Sequence, residues 1–294
     1  MKKILKGFCA VFALLLALTS CNESYTTYEG PGFISFSDSI YVLPVQNNEQ
    51  VFDIPVVAAQ ACNYDRTLAV EVLDKNTNAI EGKHFSVVSN TVTIPAGELT
   101  ANFRIRGNAD NITINDSLGI NLHLVTEHPG LEELQSLNAN VLLIKTCPFN
   151  IADFTGYCVL QSPYMDAYMP GVKARLVKSE LDPENENTII LKDYFYDGYD
   201  VKLRFTTNDP LNPLIEMDEQ KFGPTAEAFG TVYGDGVIYM KQLVNYASYY
   251  SPCELFLVHY TTLFVPGVGT IDSYINIVKF ISDDEADRIK REGF

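Results

Sequence analysis

Ala101-Asn102-Phe103-Arg104-Ile105-Arg106 alternates apolar and polar side chains for six residues, and Ala69-Val70-Glu71-Val72 does the same. Side chains of a β-strand point to opposite faces in turn, so this period of two marks strands with one buried face. Five further runs share the pattern: Phe33 to Phe36, Val51 to Val57, Val87 to Ile94, Gly119 to Val125 and Ala139 to Lys145. The first alternating run extends to Leu99–Arg106 and the second to Thr67–Leu73. Asn, Asp, Gly and Pro fill the gaps. Seven short strands in this setting predict an antiparallel β-sandwich over residues 33–147, its core between two sheets. Leu131 to Leu137 adds a helical turn in the last connection.

The segment Ala79-Ile80-Glu81-Gly82-Lys83-His84-Phe85, followed by Val92-Thr93-Ile94-Pro95-Ala96-Gly97-Glu98 and Phe103-Arg104-Ile105, resembles the middle of a Calx-beta domain. The resemblance is close over about 30 residues and looser over the rest of the unit. It implies an immunoglobulin-like sandwich in which Gly82 permits a tight loop, Phe85 anchors the core and Pro95 to Glu98 turn the chain. His84 stands where that family often has Asp, and Gly107-Asn108-Ala109-Asp110 replaces the paired acids of its calcium-binding members. Calcium needs several oxygen ligands, carboxylates among them, so the resemblance carries the fold and no metal.

Cys147-Pro148-Phe149-Asn150 separates this pattern from a second one. Thirteen of the 17 tyrosines lie beyond residue 150. Strands are expected at Gly156–Leu160, Val172–Lys178, Thr188–Tyr194, Asp200–Thr206, Ala226–Tyr233, Val237–Lys241, Cys253–Thr261 and Tyr274–Ile281. Asp197-Gly198 and Gly234-Asp235-Gly236 fall between such runs, where residues tolerant of positive φ make tight hairpins. Successive hairpins predict an antiparallel sheet or a lipocalin-like barrel over 148–282. The charged stretch 283–294 reads as a terminal helix or tail. The fold class is all-β.

The N-terminus sets the location. Lys2, Lys3 and Lys6 precede an apolar run of 11 residues, Phe8 to Leu18. A bilayer span needs about 18–20 such residues, so this run fits the core of a signal peptide over residues 1–20. Leu18-Thr19-Ser20-Cys21 resembles the lipobox of bacterial lipoproteins, which implies that Cys21 is acylated and residues 21–32 form a tether. Several acyl chains hold a protein stably where one does so only marginally. Two-domain β lipoproteins of this kind resemble a Bacteroidetes group that accompanies outer-membrane glycan-uptake systems. The implied location is the cell envelope, at the outer membrane, on its periplasmic or its outer side.

Losing three lysines and no acids takes the formal charge from −16 to about −19. Counterion release on nucleic acid needs clustered Lys and Arg, so nucleic-acid partners are excluded. Cys9 leaves with the signal and Cys21 carries lipid. Cys62, Cys147, Cys158 and Cys253 remain, with three full pairings open beside the alternative of buried free thiols.

The chain shows no catalytic motif. His84, His123, His128 and His259 have no metal-binding spacing, no Gly-x-Ser-x-Gly elbow occurs, and Asp182, Glu184 and Glu186 fall in a turn. The reading is a non-enzyme without a cofactor. Two tyrosine clusters are the candidate binding residues: Tyr194, Tyr196 and Tyr199 around a hairpin turn, and Tyr246, Tyr249 and Tyr250 between strands. Aromatic rings on exposed loops stack on sugar faces, with Asp193, Asp197 and Asn245 supplying hydrogen bonds. The opposing reading is that Tyr is a favoured strand residue. A glycan, or a protein of the outer membrane docked on an apolar patch or open strand edge, is the expected partner besides the membrane itself.

Overall fold

The computed structural model describes residues 32–125 and 137–294. Cys21, nearly all of the expected tether, His128 and most of the expected turn at Leu131–Leu137 lie outside the described residues.

Two β units follow one another. The first is an immunoglobulin-like sandwich. One sheet holds β1 (Ile34–Phe36), β3 (Val51–Ala58), β7 (Thr100–Gly107) and β5 (Phe85–Val87). The other is ordered β2 (Ile40–Val45), β9 (Asn138–Lys145), β8 (Leu118–Val125), β4 (Arg66–Leu73) and β6 (Thr91–Ile94). Strand β7 shows why the alternation was decisive: Phe103 and Ile105 are buried between the sheets, while Arg104 projects outward to Asp53 of β3 at 2.9 Å. Burying each such apolar side chain is worth about 1.5–3 kcal/mol, whereas the exposed ion pair adds under about 1 kcal/mol.

The loop carrying the Calx-beta resemblance folds as its chemistry requires. Gly82 sits at φ +79°, Phe85 is buried, and the Glu98 amide closes the turn on the Pro95 carbonyl at 3.0 Å. His84 Nδ1 accepts a hydrogen bond from the Ile80 amide at 3.0 Å, an acceptor's role that a carboxylate also fills.

Two expectations need correction here. Val87–Ile94 is not one strand: β5 ends at Val87 in one sheet, and the chain crosses through Val88-Ser89-Asn90 before β6 begins in the other. A strand absent from the expectation, β2, runs parallel to β9 and contains Pro44. Proline has no amide proton for a ladder, which confines it to sheet edges such as this one.

The second unit is a closed antiparallel barrel of eight strands: β10 (Gly156–Gln161), β11 (Arg175–Leu181), β12 (Thr188–Lys192), β13 (Val201–Phe205), β14 (Leu214–Glu216), β17 (Ser248–Ser251), β18 (Phe256–Val265) and β19 (Gly269–Ile281). The ring closes because β19 pairs with both β10 and β18. A further hairpin, β15 (Gln220–Pro224) with β16 (Val237–Gln242), is laid onto the second half of β18. Helix α1 (Pro163–Tyr168) and the terminal helix α3 (Asp283–Glu292) pack against the barrel strands. Ala226–Tyr233, expected as a strand, is instead a short helix, α2 (Thr225–Phe229), stopped by Gly230 at φ +73°. A left-handed residue at that position is a standard helix end, and glycine adopts it without a Cβ clash.

Cys147 and Cys253 form a disulfide, whereas Cys62 and Cys158 are free. Strand β9 ends at Lys145, so only Thr146 lies between the sandwich and a cysteine bonded to the β17–β18 turn.

A candidate binding face on the barrel wall

The barrel interior claims most of the first tyrosine cluster. Asp193 adopts φ +48° and its carboxylate accepts the Gly198 amide at 2.6 Å, folding the Asp193–Asp200 loop back on itself. Tyr194, Phe195 and Tyr196 are thereby buried in the core, and Tyr199 packs against it. Tyr196 Oη lies 2.7 Å from Tyr164 Oη, and the Tyr164 ring packs edge-on against Phe195, Phe222 and Tyr274. Burial pushes the Tyr164 and Tyr194 phenols well above their ordinary range. Tyr250, from the second cluster, is also interior; its hydroxyl donates to the Thr206 carbonyl at 3.0 Å, and burial raises its pKa to about 12. Tyr194, Tyr196 and Tyr250 are therefore corrected from surface candidates to core residues. A closed barrel has a wide interior, and aromatic rings fill it.

Tyr246 and Tyr249 are exposed, at 58% and 39%. They belong to a larger arrangement on the outer wall. Alternate residues of β18 face outward, and among them Phe256, Tyr260 and Phe264 recur every fourth position. Each has a tyrosine against it: Tyr249 on Phe256 with centroids 6.3 Å apart, Tyr246 on Tyr260 at 5.4 Å, and Tyr239 on Phe264 at 5.9 Å. At about 3.3 Å per residue, the three pairs stand roughly 13 Å apart in a row about 26 Å long.

The structure of β18 explains this row. Leu257, Leu263 and Val265 belong to the barrel core, whereas Val258 is buried without joining it. Val258 lies in register with Tyr249 on one side and Ile277 on the other, so it is covered from outside by its neighbours. Polar groups stand between the rings: Thr262 and Ser273 hydroxyls are 3.0 Å apart, Tyr239 donates to Asp235 at 3.1 Å, and Lys241 lies 5.0 Å over the Phe264 ring. The bond to Asp235 raises the Tyr239 pKa. Asn245, at φ +70°, turns the chain that presents Tyr246. Sequence reading missed Tyr239, Phe256, Tyr260 and Phe264. Phe256, Tyr260 and Phe264 show their four-residue spacing in the chain, but the polar residues of Phe256–Val265 fall on both faces, His259 and Thr261 buried and Thr262 outward, so the pattern does not show which positions face out.

The other polar groups are engaged elsewhere. His123 Nδ1 bonds Asn138 at 2.9 Å, and Asp182 is fully covered, accepting from Lys202, Asn185 and the Glu184 amide. Those donors hold the Asp182 carboxyl down at about 2, so it is not the solvated turn residue the sequence suggested. His259 points into the barrel with neither ring nitrogen hydrogen-bonded, and burial lowers its pKa to about 3. Among the described residues, no group of three or more His, Cys, Asp or Glu side chains is placed to hold a metal ion, and no helix is long and apolar enough to cross a membrane.

Residues 134–292 match the family model described as Domain of unknown function (DUF4984), which is more than half of the chain. The chain belongs to the DUF4984 family. The match covers all of the barrel and its terminal helix, and hence the aromatic row. No curated protein matches the chain.

Among solved structures, a protein of unknown function from Bacteroides ovatus is similar at 13% identity and a TM-score of 0.36, over 84% of this chain and 91% of that one. The apo-form Calx CBD1 domain is similar at 19% identity and a TM-score of 0.31, over 38% of this chain and 95% of that one. A structure described as an auxiliary nutrient binding protein, from Bacteroides thetaiotaomicron, is similar at 16% identity and a TM-score of 0.31, over 85% and 94% of the two chains.

Proposed function

We propose that this DUF4984 protein is a non-catalytic binding accessory of the cell envelope. It is tethered to the outer membrane through a lipid on Cys21 and holds a glycan on the outer wall of its barrel. The three aromatic pairs along β18 carry this reading. Aromatic faces favour the C–H-rich faces of sugar rings, and tyrosine hydroxyls add hydrogen bonds at their rims. The Thr262, Ser273 and Lys241 side chains between the rings supply the polar contacts that a purely apolar surface lacks.

A second reading, a docking face for an envelope protein, is favoured by Ile275 and Ile277, which are exposed on the same wall. Isothermal titration against a panel of soluble polysaccharides separates the two. Binding that is lost in Tyr246→Ala and Tyr249→Ala, with unfolding unchanged, supports a glycan holder. Absence of binding to any polysaccharide rejects it, and recovery of an envelope protein cross-linked to the β18 wall in intact cells then favours docking. Labelling of Cys21 by a palmitate analogue in cells tests the anchor; an unlabelled protein rejects it.

A further inference from the structure

The wall that carries the aromatic row has its own charge. Lys279 of β19 is in register with Phe256, Lys241 of β16 with Thr262, and Lys221 of β15 with Tyr239. Register partners share a face, so all three ammonium groups emerge on the outer side, beside the first and third aromatic pairs. All three are exposed, and among the described residues no ion pair engages any of them, whereas Lys173, Lys178, Lys192, Lys202 and Lys290 each have a carboxylate within 4 Å. The outward positions of β15 to β19 hold no carboxylate; Asp272 of β19 is in register with inward-facing Leu263. The neighbouring acids come from the connections: Asp235, bonded to Tyr239, Glu219 before β15, and Glu254 before β18. In a chain with 37 acids against 21 bases, the strands of this wall carry lysines and their acids are confined to the connections.

We infer that the ligand is a linear acidic polysaccharide lying along β18, its rings on the aromatic pairs and its anionic groups on Lys221, Lys241 and Lys279. This rests on the glycan-holding reading and names its substrate class. Opposite charge is what fits lysines without a carboxylate partner on an otherwise acidic protein. Three aromatic pairs at two similar intervals along one strand fit a chain that runs parallel to it, because a longer chain meets more of the pairs.

The test uses the full chain titrated with matched-length oligosaccharides: uronate-bearing, sulfated and neutral, each short (two or three sugars) and long (eight or more). The expected result is at least tenfold tighter binding of long acidic chains than of long neutral ones, with affinity falling as salt rises. Lys221→Gln and Lys279→Gln should each weaken the acidic chain three- to tenfold and leave a neutral chain unchanged. Preference for carboxylated over sulfated chains, or the reverse, identifies the anion. Equal affinity for neutral and acidic chains, or for short and long ones, overturns the inference while leaving the glycan-holding reading intact. No glycan binding at all rejects that reading instead. Binding to phosphatidylglycerol vesicles in place of every glycan would mark the wall as a membrane contact and overturn both.

Discussion

The side-chain amide of Gln220 makes the two hydrogen bonds that a neighbouring strand would make to Lys202. Its oxygen accepts from the Lys202 amide at 2.8 Å, and its nitrogen donates to the Lys202 carbonyl at 3.0 Å. Strand β13 pairs along its ladder with β14 only at Arg204 and Phe205, so the Lys202 end of that edge is closed by a side chain. This joins the β15–β16 hairpin, which carries Tyr239 and Lys241, to the far side of the barrel.

Gln220→Ala therefore leaves two backbone groups unpaired beside a cleft of about 260 Å³ lined by Arg204, Glu216, Met217 and Gln220 itself. Water reaches that cleft and recovers part of the loss, so the expected cost is about 1–3 kcal/mol. Urea denaturation measures it. A shift below about 0.5 kcal/mol would show that β18 alone holds the hairpin.

Gly223 faces the Tyr196 ring at the irregular step between Lys221 and Gly223, where the register of β15 shifts. A Cβ built there would lie 2.2 Å from Tyr196 Cδ2, and Tyr196 is bonded through its hydroxyl to Tyr164. Neither ring can withdraw without disturbing the aromatic interior. Gly223→Ala is expected to cost about 1–3 kcal/mol through overpacking. In a Tyr196→Ala background the same change should cost much less, and the double-mutant cycle reads the coupling. Additive effects would place the strain elsewhere.

How far the sequence revealed this arrangement depends on whether a residue's face was encoded locally. Ala101–Arg106 announces its buried side because charged and apolar residues alternate. Ile40–Val45 does not, since Pro44 speaks against a strand and its partner, β9, lies about 100 residues away. Ala226–Tyr233 was apolar enough for a strand, and only Gly230 distinguishes the helix stop. The tyrosines were the hardest. Tyr194 and Tyr196 stand beside Asp193 and Asp197, which suggests a wet loop. The loop folds inward because the Asp193 carboxylate accepts the Gly198 amide and the Asp200 carboxylate accepts the Asp193 amide. Tyr246 and Tyr249 were legible as surface residues, but their partners on β18 became visible only once barrel closure fixed inside and outside.

His259 predicts a pH dependence. An unfolded histidine takes up its proton near pH 6.5, and in the folded barrel burial lowers this to about 3. Since the folded pKa lies below the unfolded one, the neutral ring's full stability holds above pH 6.5 and is lost as pH falls toward 3. The slope is about 1.4 kcal/mol per pH unit, so roughly 2 kcal/mol disappears between pH 7 and pH 5. Asp182, held at about 2, contributes its own loss only below the ordinary carboxylate range. His259→Leu should flatten the stability profile between pH 7 and pH 5. An unchanged slope in that variant would assign the acid sensitivity to other groups.

The disulfide predicts how the two units depend on each other. Cys147 and Cys253 are 106 residues apart, and a cross-link over a loop of that length removes chain entropy worth roughly 4–5 kcal/mol from the unfolded barrel. It also fixes the exit of the sandwich, since β9 ends two residues before Cys147. Clefts of about 310 and 440 Å³ flank this joint, sharing Pro210, Pro213, Tyr250 and Pro252 along their walls. The Cys147→Ser/Cys253→Ser variant should lose about 2–5 kcal/mol in the barrel and little in the sandwich. Calorimetry would then resolve two transitions, the lower one belonging to the barrel. Reductant should reproduce this shift in the wild-type chain and leave the variant unaltered. A single transition, lowered equally for both units, would show instead that sandwich and barrel unfold as one body even without the bond.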